Sequence, residues 1–595
     1  MTLSDVVIQY ESRLQDLQAG VANARVLHTA SALILAGAVA VFLFLSLYAI
    51  RQQVAAWWPS LPIPVMAASA RRYSRSRKSR SRLTRLKRFY HTALQRVRGS
   101  WAGNGVAGEE FSDPAHVYSR DLHIFGEGSL FQLLCTARTA VGRRGLADYL
   151  LTAPPPEETL LRQKAVSELQ QRAEVREHIA VLGAFEFSET KGETFAEWLD
   201  IPAFRFSKIL RGVAVVTSSV VAILLLAGIS AALPWSSIAP WLAPLLLFHC
   251  AVGLVFRRRV NRMIERLRAV SFETRVLREG LQLMERTRWE SDKLNRLASR
   301  VRNASTSVRK LERLLNALNE RNKEWFYYPS LPLLLGTQLC MAVERWRNQH
   351  GVVLKAWLDA WGEFEALNAL AGYAHENPTN TFPEFTAGEE ACFEAQALGH
   401  PLLPDEVCVA NDVSLNARSR FYVISGSNMS GKSTLLRTIG LNAVLAAAGA
   451  PVRAQILRLS RLSVCASLSV VDSLLHGKSK FLAEMDRLRQ TITIAKGASV
   501  LFLIDEILSG TNSPDRRVAT EAVVRTLLDR GSIGALSTHD LALGEIAESA
   551  GLNGVNVHMG SRDGGDPLEF DYLLKPGVTR ESNALAIARM AGVPV

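Results

Sequence analysis

The stretch Gly426-Ser427-Asn428-Met429-Ser430-Gly431-Lys432-Ser433-Thr434 decides how this chain is read. It satisfies GxxxxGK[ST], a pattern whose small residues let successive backbone N–H groups close around phosphate oxygens. Phe421-Tyr422-Val423-Ile424 before it reads as a buried strand, and Leu435 to Ala448 after it as an apolar helix. The start of such a helix adds partial positive charge where the phosphates would lie. Lys432 is placed to reach the β- and γ-phosphates, and the Ser433 hydroxyl to ligate Mg²⁺. Gly426 through Thr434 are therefore the candidate ligands of a nucleoside triphosphate, with ATP and Mg²⁺ as the expected cofactors.

Working outward, Ser499-Val500-Leu501-Phe502-Leu503-Ile504 is an apolar strand that ends in Asp505-Glu506. Two adjacent carboxylates at the end of a buried strand are costly unless a cation or a substrate proton uses them. Asp505 suits a role beside Mg²⁺, and Glu506 that of the base acting on the attacking water. Ser537-Thr538-His539-Asp540 follows another short apolar segment, and His539 is a candidate sensor of the γ-phosphate. Together these elements describe hydrolysis, with Glu506 and His539 as catalytic candidates and Ser433 and Asp505 as metal candidates.

The wording around these elements resembles the MutS family of DNA mismatch-repair ATPases, whose nucleotide domain is of the ABC class. The family's loop runs GPNMxGKST, and the Asn428-Met429 pair is not demanded by phosphate binding alone. Gly399-His400-Pro401-Leu402-Leu403 and Val409-Ala410-Asn411-Asp412 match the start of the family's domain. Gly477 to Met485 is similar to its GxSxFxxEM signature, and Asp505 to Ser513 with Asp515 to its DEIGRGTST-D segment. Lys575-Pro576-Gly577 and Ala591-Gly592-Val593-Pro594 match its closing words. The resemblance implies a dimer in which Ser479 of one subunit completes the ATP site of the other. It is strong over residues 385–595 and weaker from Gly128-Ser129-Leu130-Phe131 through Arg162-Gln163-Lys164-Ala165-Val166, which look like the family's helical core.

The departures carry weight too. No mismatch-reading domain fits before residue 110, and Phe187-Ser188-Glu189 matches the letters of the family's wedge only by coincidence, inside a helical run. The family's aromatic position for stacking on adenine falls near Cys408, which offers no ring, and Ser509 stands for the Arg before Gly-Thr. The family's C-terminal helical dimerisation segment is not expected after Val595. The expectation is DNA binding through the phosphate backbone, without mismatch preference.

Residues 212–256 hold no Asp, Glu, Lys or Arg, a run of 45 positions with Pro234-Trp235-Ser236-Ser237 in the middle. About 20 apolar residues cross a bilayer, so this predicts two spans and a tight turn. Arg205, Lys208 and Arg211 precede it and Arg257, Arg258 and Arg259 follow, which keeps both ends in the cytoplasm. Val26 to Ile50 is a further uncharged span, and Gln52 to Ala70, with Trp57, Trp58 and three prolines, a marginal fourth. Four spans put both ends inside; if 52–70 lies in the interface, the N-terminus is outside.

Residues 71–98 hold 12 Lys and Arg and no acid, which accounts for nearly all of the chain's net charge of +13. Such a segment beside a span attracts anionic lipid head groups, at about 1 kcal/mol per charge. DNA phosphates are the rival partner, but Tyr73 is the only aromatic in Arg71 to Arg88, a poor stacking platform. Six scattered cysteines without CxxC spacing suit reduced thiols.

The expected architecture is multi-domain: helical membrane spans and a helical lever and core domain, then an α/β P-loop ATPase of the ABC class. The units are residues 1–70 with one or two spans, 71–110 as a basic linker, 111–211 and 257–380 as the two parts of the helical core, 212–256 as the membrane hairpin, and 385–595 as the ATPase. The leading reading is a membrane-anchored ATPase, homodimeric through that domain, that engages double-stranded DNA. The rivals are half of an ABC transporter, which lacks its LSGGQ signature here, and a membrane scaffold that uses ATP only for assembly.

Overall fold

The computed structural model of the protein describes residues 2–579, apart from 53–56, 184–193, 202–206, 322, 324–325, 327, 329, 387, 389, 428, 469–479, 509–511 and 562–568. Phe187-Ser188-Glu189, Asn428, Ser479, Ser509 and the closing Ala591 to Pro594 lie outside the described residues.

The chain opens with helix α1 (Leu3–Gln52), turns through a short 3-10 segment (Trp58–Ser60), and returns in α2 (Ile63–Val97). Pro62 and Pro64 sit at the start of α2, where a missing N–H costs nothing, so they end the turn instead of breaking a span. Of the expected fourth span over 52–70, the described residues from Ile63 onward belong to α2. The basic run read as a linker is the body of α2. It has no Gly or Pro between Val65 and Arg98, and arginine is a good helix former.

The first third of α1 packs antiparallel on the second half of α2. Val6, Tyr10, Leu14 and Leu17 meet Leu86, Tyr90, Ala93 and Leu94, with the Tyr10 and Tyr90 rings edge to face at 5.2 Å. Glu11 pairs with Arg98, and Arg13 with Glu177 of the helical core. The N-terminus thus stands on the same side as the basic segment.

Helices α3 (Leu130–Leu134), α4 (Ala140–Leu151), α5 (Pro156–Gln171), α6 (Ala173–Ala180) and α7 (Thr194–Asp200) begin the helical core. The membrane hairpin is α8 (Lys208–Ile229) and the first part of α9 (Trp235–Arg286). Its turn lies ahead of Trp235; Trp235-Ser236-Ser237 already form the first turn of α9, with Pro234 as the N-cap residue. Beyond the apolar stretch α9 continues as one helix into the core and packs on α11 (Ala304–Arg321), after the short α10 (Asp292–Arg300). Helix α12 (Leu335–Glu376) runs through the core. The apolar segment just before it makes a turn against the hairpin, where Leu333 O accepts the Ser218 hydroxyl at 2.9 Å.

Three described helices are long and apolar enough to cross a membrane, within Leu3–Arg51, Ile209–Ile229 and Trp235–Leu267. Only 22% of the most apolar window is buried in each hairpin arm and none in the first helix, so protein contacts do not account for this apolar surface. These helices support a multi-pass membrane protein.

The C-terminal part is mixed α/β. Strands β1 (Glu384–Phe385), β2 (Phe393–Leu398), β3 (Asn411–Leu415), β4 (Phe421–Ser425) and β5 (Ile456–Leu459) are followed by β6 (Ser463–Ser467), β7 (Val500–Asp505), β8 (Ile533–Thr538), β9 (Gly554–His558) and β10 (Lys575–Pro576). The larger sheet has the order β10-β9-β4-β8-β7-β6, parallel except for β10. Its central strands read as unbroken apolar runs because helices cover both faces. These are α13 (Lys432–Ala448), α14 (Lys480–Ile494), α15 (Ser513–Leu528) and α16 (Gly544–Glu548). Helix α13 also packs on α4 and α5, which ties this domain to the helical core.

Candidate nucleotide site

The loop 426–431 joins β4 to α13, at the C-terminal edge of the parallel strands where open α/β sheets bind their ligands. Gly426 and Gly431 have φ of 152° and 100°, conformations that favour glycine. A Cβ on Gly426 would sit 2.3 Å from the Met559 carbonyl oxygen, so the turn admits only glycine there.

Lys432 is 5% exposed, and its ammonium donates to the Gly426 and Ser427 carbonyl oxygens, both at 2.8 Å. Burial pulls its pKa below the ordinary lysine value, against the opposing pull of Asp505 and Glu506. The Ser433 hydroxyl donates to Asp505 Oδ2 at 2.5 Å, and Ser537 on β8 donates to Asp505 Oδ1. The Ser427 and Ser430 hydroxyl oxygens are buried with no hydrogen-bond partner among the described residues. A buried hydroxyl left unpaired costs about 1–3 kcal/mol, and two of them in one six-residue loop fit a ligand rich in acceptor oxygens. Met429 and Thr434 complete the described part of the loop; Met429 is 78% exposed, with φ of 70°.

Glu506 lies past the end of β7 with φ of 50°, a left-handed conformation that a glutamate adopts at a cost. Its N–H donates to Ser537 O at 3.2 Å, and its Oε1 lies 2.9 Å from His539 Nε2. The structure thus brings Lys432, Ser433, Asp505, Glu506 and His539 to one edge of the sheet. It also links this edge to the helix after Ser479: the buried Glu484 accepts the Leu508 N–H at 2.6 Å. Among the described residues no three His, Cys, Asp or Glu cluster as a ready metal cage. Mg²⁺ bound with a nucleotide takes much of its shell from phosphate oxygens and water, so one hydroxyl and one carboxylate suit it.

Sequence reasoning missed Tyr572. A Cβ on Gly431 would lie 3.1 Å from its ring, while Asn411 pins the backbone there by donating to Tyr572 O and accepting from Leu574 N–H. The ring therefore sits over the loop from 140 residues away in sequence, and Phe570-Asp571-Tyr572 ahead of Lys575-Pro576-Gly577 was its only trace.

Residues 422–595 match the family described as MutS domain V. The chain is 35% identical over 239 residues to Endonuclease MutS2 of Thermus thermophilus, covering 40% of this chain and 30% of that protein. It is 32% identical over 256 residues to DNA mismatch repair protein MutS of Methanosarcina mazei, covering 42% and 28%, and 30% identical over 240 residues to the protein of that name from Lactobacillus delbrueckii subsp. bulgaricus, covering 39% and 28%. The chain thus spans under a third of the length of these relatives. A MutS-family domain and membrane-spanning helices occur together in this protein.

Proposed function

We propose that this protein is a membrane-anchored MutS-like ATPase that binds and hydrolyses Mg²⁺-ATP at the 426–434 loop, works as a homodimer through its α/β domain, and engages DNA. The observation that carries the reading is the pair of unpartnered hydroxyls, Ser427 and Ser430, buried in a loop that also holds the Lys432 ammonium. With nucleotide bound, Lys432 would exchange its two carbonyl partners for phosphate oxygens and offset their charge. Ser433 would hold Mg²⁺, with Asp505 behind it. The metal, when bound, neutralises charge on the phosphates. Glu506, held by His539, takes the proton of the attacking water. Asn428, and Ser479 from the second subunit, complete the set by the family resemblance. The DNA partner rests on the names of the relatives, mismatch-repair proteins and an endonuclease. The ATPase side faces the cytoplasm in this reading, because basic residues flank each apolar stretch, with anionic lipid head groups beside them.

ATP binding and phosphate release by the full chain in lipid nanodiscs test this reading. Wild type should show both and Lys432→Ala neither. Wild-type protein that binds no ATP would overturn it.

A further inference from the structure

A cavity of about 480 Å³ lies between the basic helix α2, the end of α6 and the part of α9 beyond the membrane hairpin. Lys78, Arg82 and Arg85 face it from α2, and Arg275 and Arg286 from α9. Among its described lining residues Glu279 is the only acid, and that carboxylate is already engaged. It accepts the Gly183 N–H at 3.0 Å, Arg275 at 3.1 Å and Arg278 at 3.0 Å. Arg85 is held too, donating to Leu182 O at 2.9 Å and to Gly183 O at 2.5 Å. Lys78, Arg82 and Arg286 have no ion-pair partner among the described residues.

The cavity therefore carries a surplus of positive charge on opposing walls. The surplus is felt by its own groups. Burial, then Arg275 and Arg82, lowers the Arg85 pKa despite Glu279; burial, then Arg82, lowers that of His178, which leaves the imidazole neutral near pH 7. Guanidinium groups on two walls suit phosphate, whose oxygens accept paired N–H bonds. The volume is that of a small-molecule site, within the usual range of about 300–1,000 Å³. We propose that this cavity is a binding site for a multiply phosphorylated ligand that bridges α2 and α9.

Two sources share that chemistry, a dissolved phosphate compound and a phospholipid head group. Geometry favours the first. At about 1.5 Å per residue, Lys78 to Arg85 lie roughly 12–22 Å along α2 from Ala70, where its uncharged opening run ends. The head-group layer is only about 5–8 Å thick on each side of the hydrocarbon. Whichever source is used, the ligand would join the helix that returns from the first span to the helix that leaves the membrane hairpin, a link separate from the nucleotide loop.

The experiment is calorimetric titration of sodium tripolyphosphate into full-length Lys432→Ala protein in phosphatidylcholine nanodiscs, so that the nucleotide loop does not contribute. Saturable binding of one tripolyphosphate per chain is expected. It should weaken by more than about tenfold in Arg82→Gln/Arg286→Gln, as the loss of two charge-assisted contacts implies. Arg77→Gln/Arg80→Gln removes the same charge from exposed positions of α2 outside the cavity and should leave it nearly unchanged. Equal weakening in both variants, or no saturable binding in phosphatidylcholine nanodiscs, would overturn the proposal. Binding that is saturable in phosphatidylcholine discs but lost on doping with phosphatidylserine, equally in the parent and in Arg77→Gln/Arg80→Gln, would assign the cavity to a phospholipid head group and overturn the dissolved, multiply phosphorylated ligand. Circular dichroism and gel filtration of each variant keep loss of fold separate from loss of the site.

Discussion

Arg487 and Asp121 face each other across the boundary between the α/β domain and the polypeptide that leads into the helical core, with Arg487 Nη2 3.8 Å from Asp121 Oδ2. The other Asp121 oxygen accepts the Leu468 N–H at 2.8 Å, and its main-chain oxygen accepts from Arg437 on α13 at 3.1 Å. One residue thus touches the helix after the candidate loop, the helix after Ser479, and the residue just before 469–479. Asp121→Ala leaves a partly buried N–H without its acceptor and removes the ion pair of a guanidinium that keeps only His116 O among the described residues, a loss of about 1–3 kcal/mol. Asp121→Asn keeps the Leu468 bond and should lose about half of that. Thermal unfolding followed by tryptophan fluorescence reads both; equal stability of Asp121→Ala and wild type would show that the contact contributes nothing.

Glu506→Gln should keep ATP binding while phosphate release drops by about 10²–10⁴-fold, the usual contribution of a positioned base. The amide keeps the shape and the reach to His539 but cannot take a proton. Single-turnover measurement on the nanodisc-held chain separates the two steps. Turnover at the wild-type rate would hand the role to another residue.

Stability should depend on pH through Glu365. This carboxyl on α12 is buried, accepts the Arg138 and Thr139 N–H groups and the Thr139 hydroxyl, and caps the start of α4. Burial raises its pKa from 4.5 to about 7, against the hydrogen bonds and Arg138, which lower it. The folded value lies above the unfolded one, so the folded state holds the extra proton. The stabilisation is complete below about pH 4.5 and is lost as pH rises through 7. Tm should fall between pH 6 and pH 8, and this part of the fall should vanish in Glu365→Gln. An unchanged slope in the variant would place the dependence elsewhere.

Topology is open to cysteine labelling with an impermeant reagent on a cysteine-free background. A cysteine at Ser236, exposed in the first turn of α9, should label from outside. Cysteines at Ser100 and Ser4 should both be protected, because the start of α1 packs on the end of α2. Labelling at Ser4 with protection at Ser100 would mean that the two helices separate in the membrane.

The parts legible in the sequence were those fixed by local pattern. Loop, strand and Asp505-Glu506 carry their chemistry in consecutive letters, and 45 uncharged residues announce a hairpin at any register. Its turn was set too late because Pro234 reads as a breaker, although proline is tolerated at the edge of a helix; Pro240 and Pro244 even lie inside α9. Tyr572 over Gly431, and Asp121 against Arg487, join residues more than a hundred positions apart and leave no periodic mark. The helicity of α2 was obscured by its charge: a run of arginines reads as a solvated linker until Leu86, Tyr90 and Leu94 are seen to share a face with α1.

Arg96 near the end of α2 holds Glu376 at the end of α12 through two bonds of 2.7 and 2.6 Å, 280 residues apart. At roughly 5–20 residues per second, the ribosome needs about 15–55 s to travel from one to the other. Through that interval α1, the first helix apolar enough to span, and α2 exist while the partner of Arg96 has yet to be made. The guanidinium of Arg96, nearly enclosed in the finished protein, waits in water or among lipid phosphates until α12 arrives. Closure of α2 onto the helical core thus waits for the end of α12, and a nascent molecule stalled before residue 376 would lack this clasp.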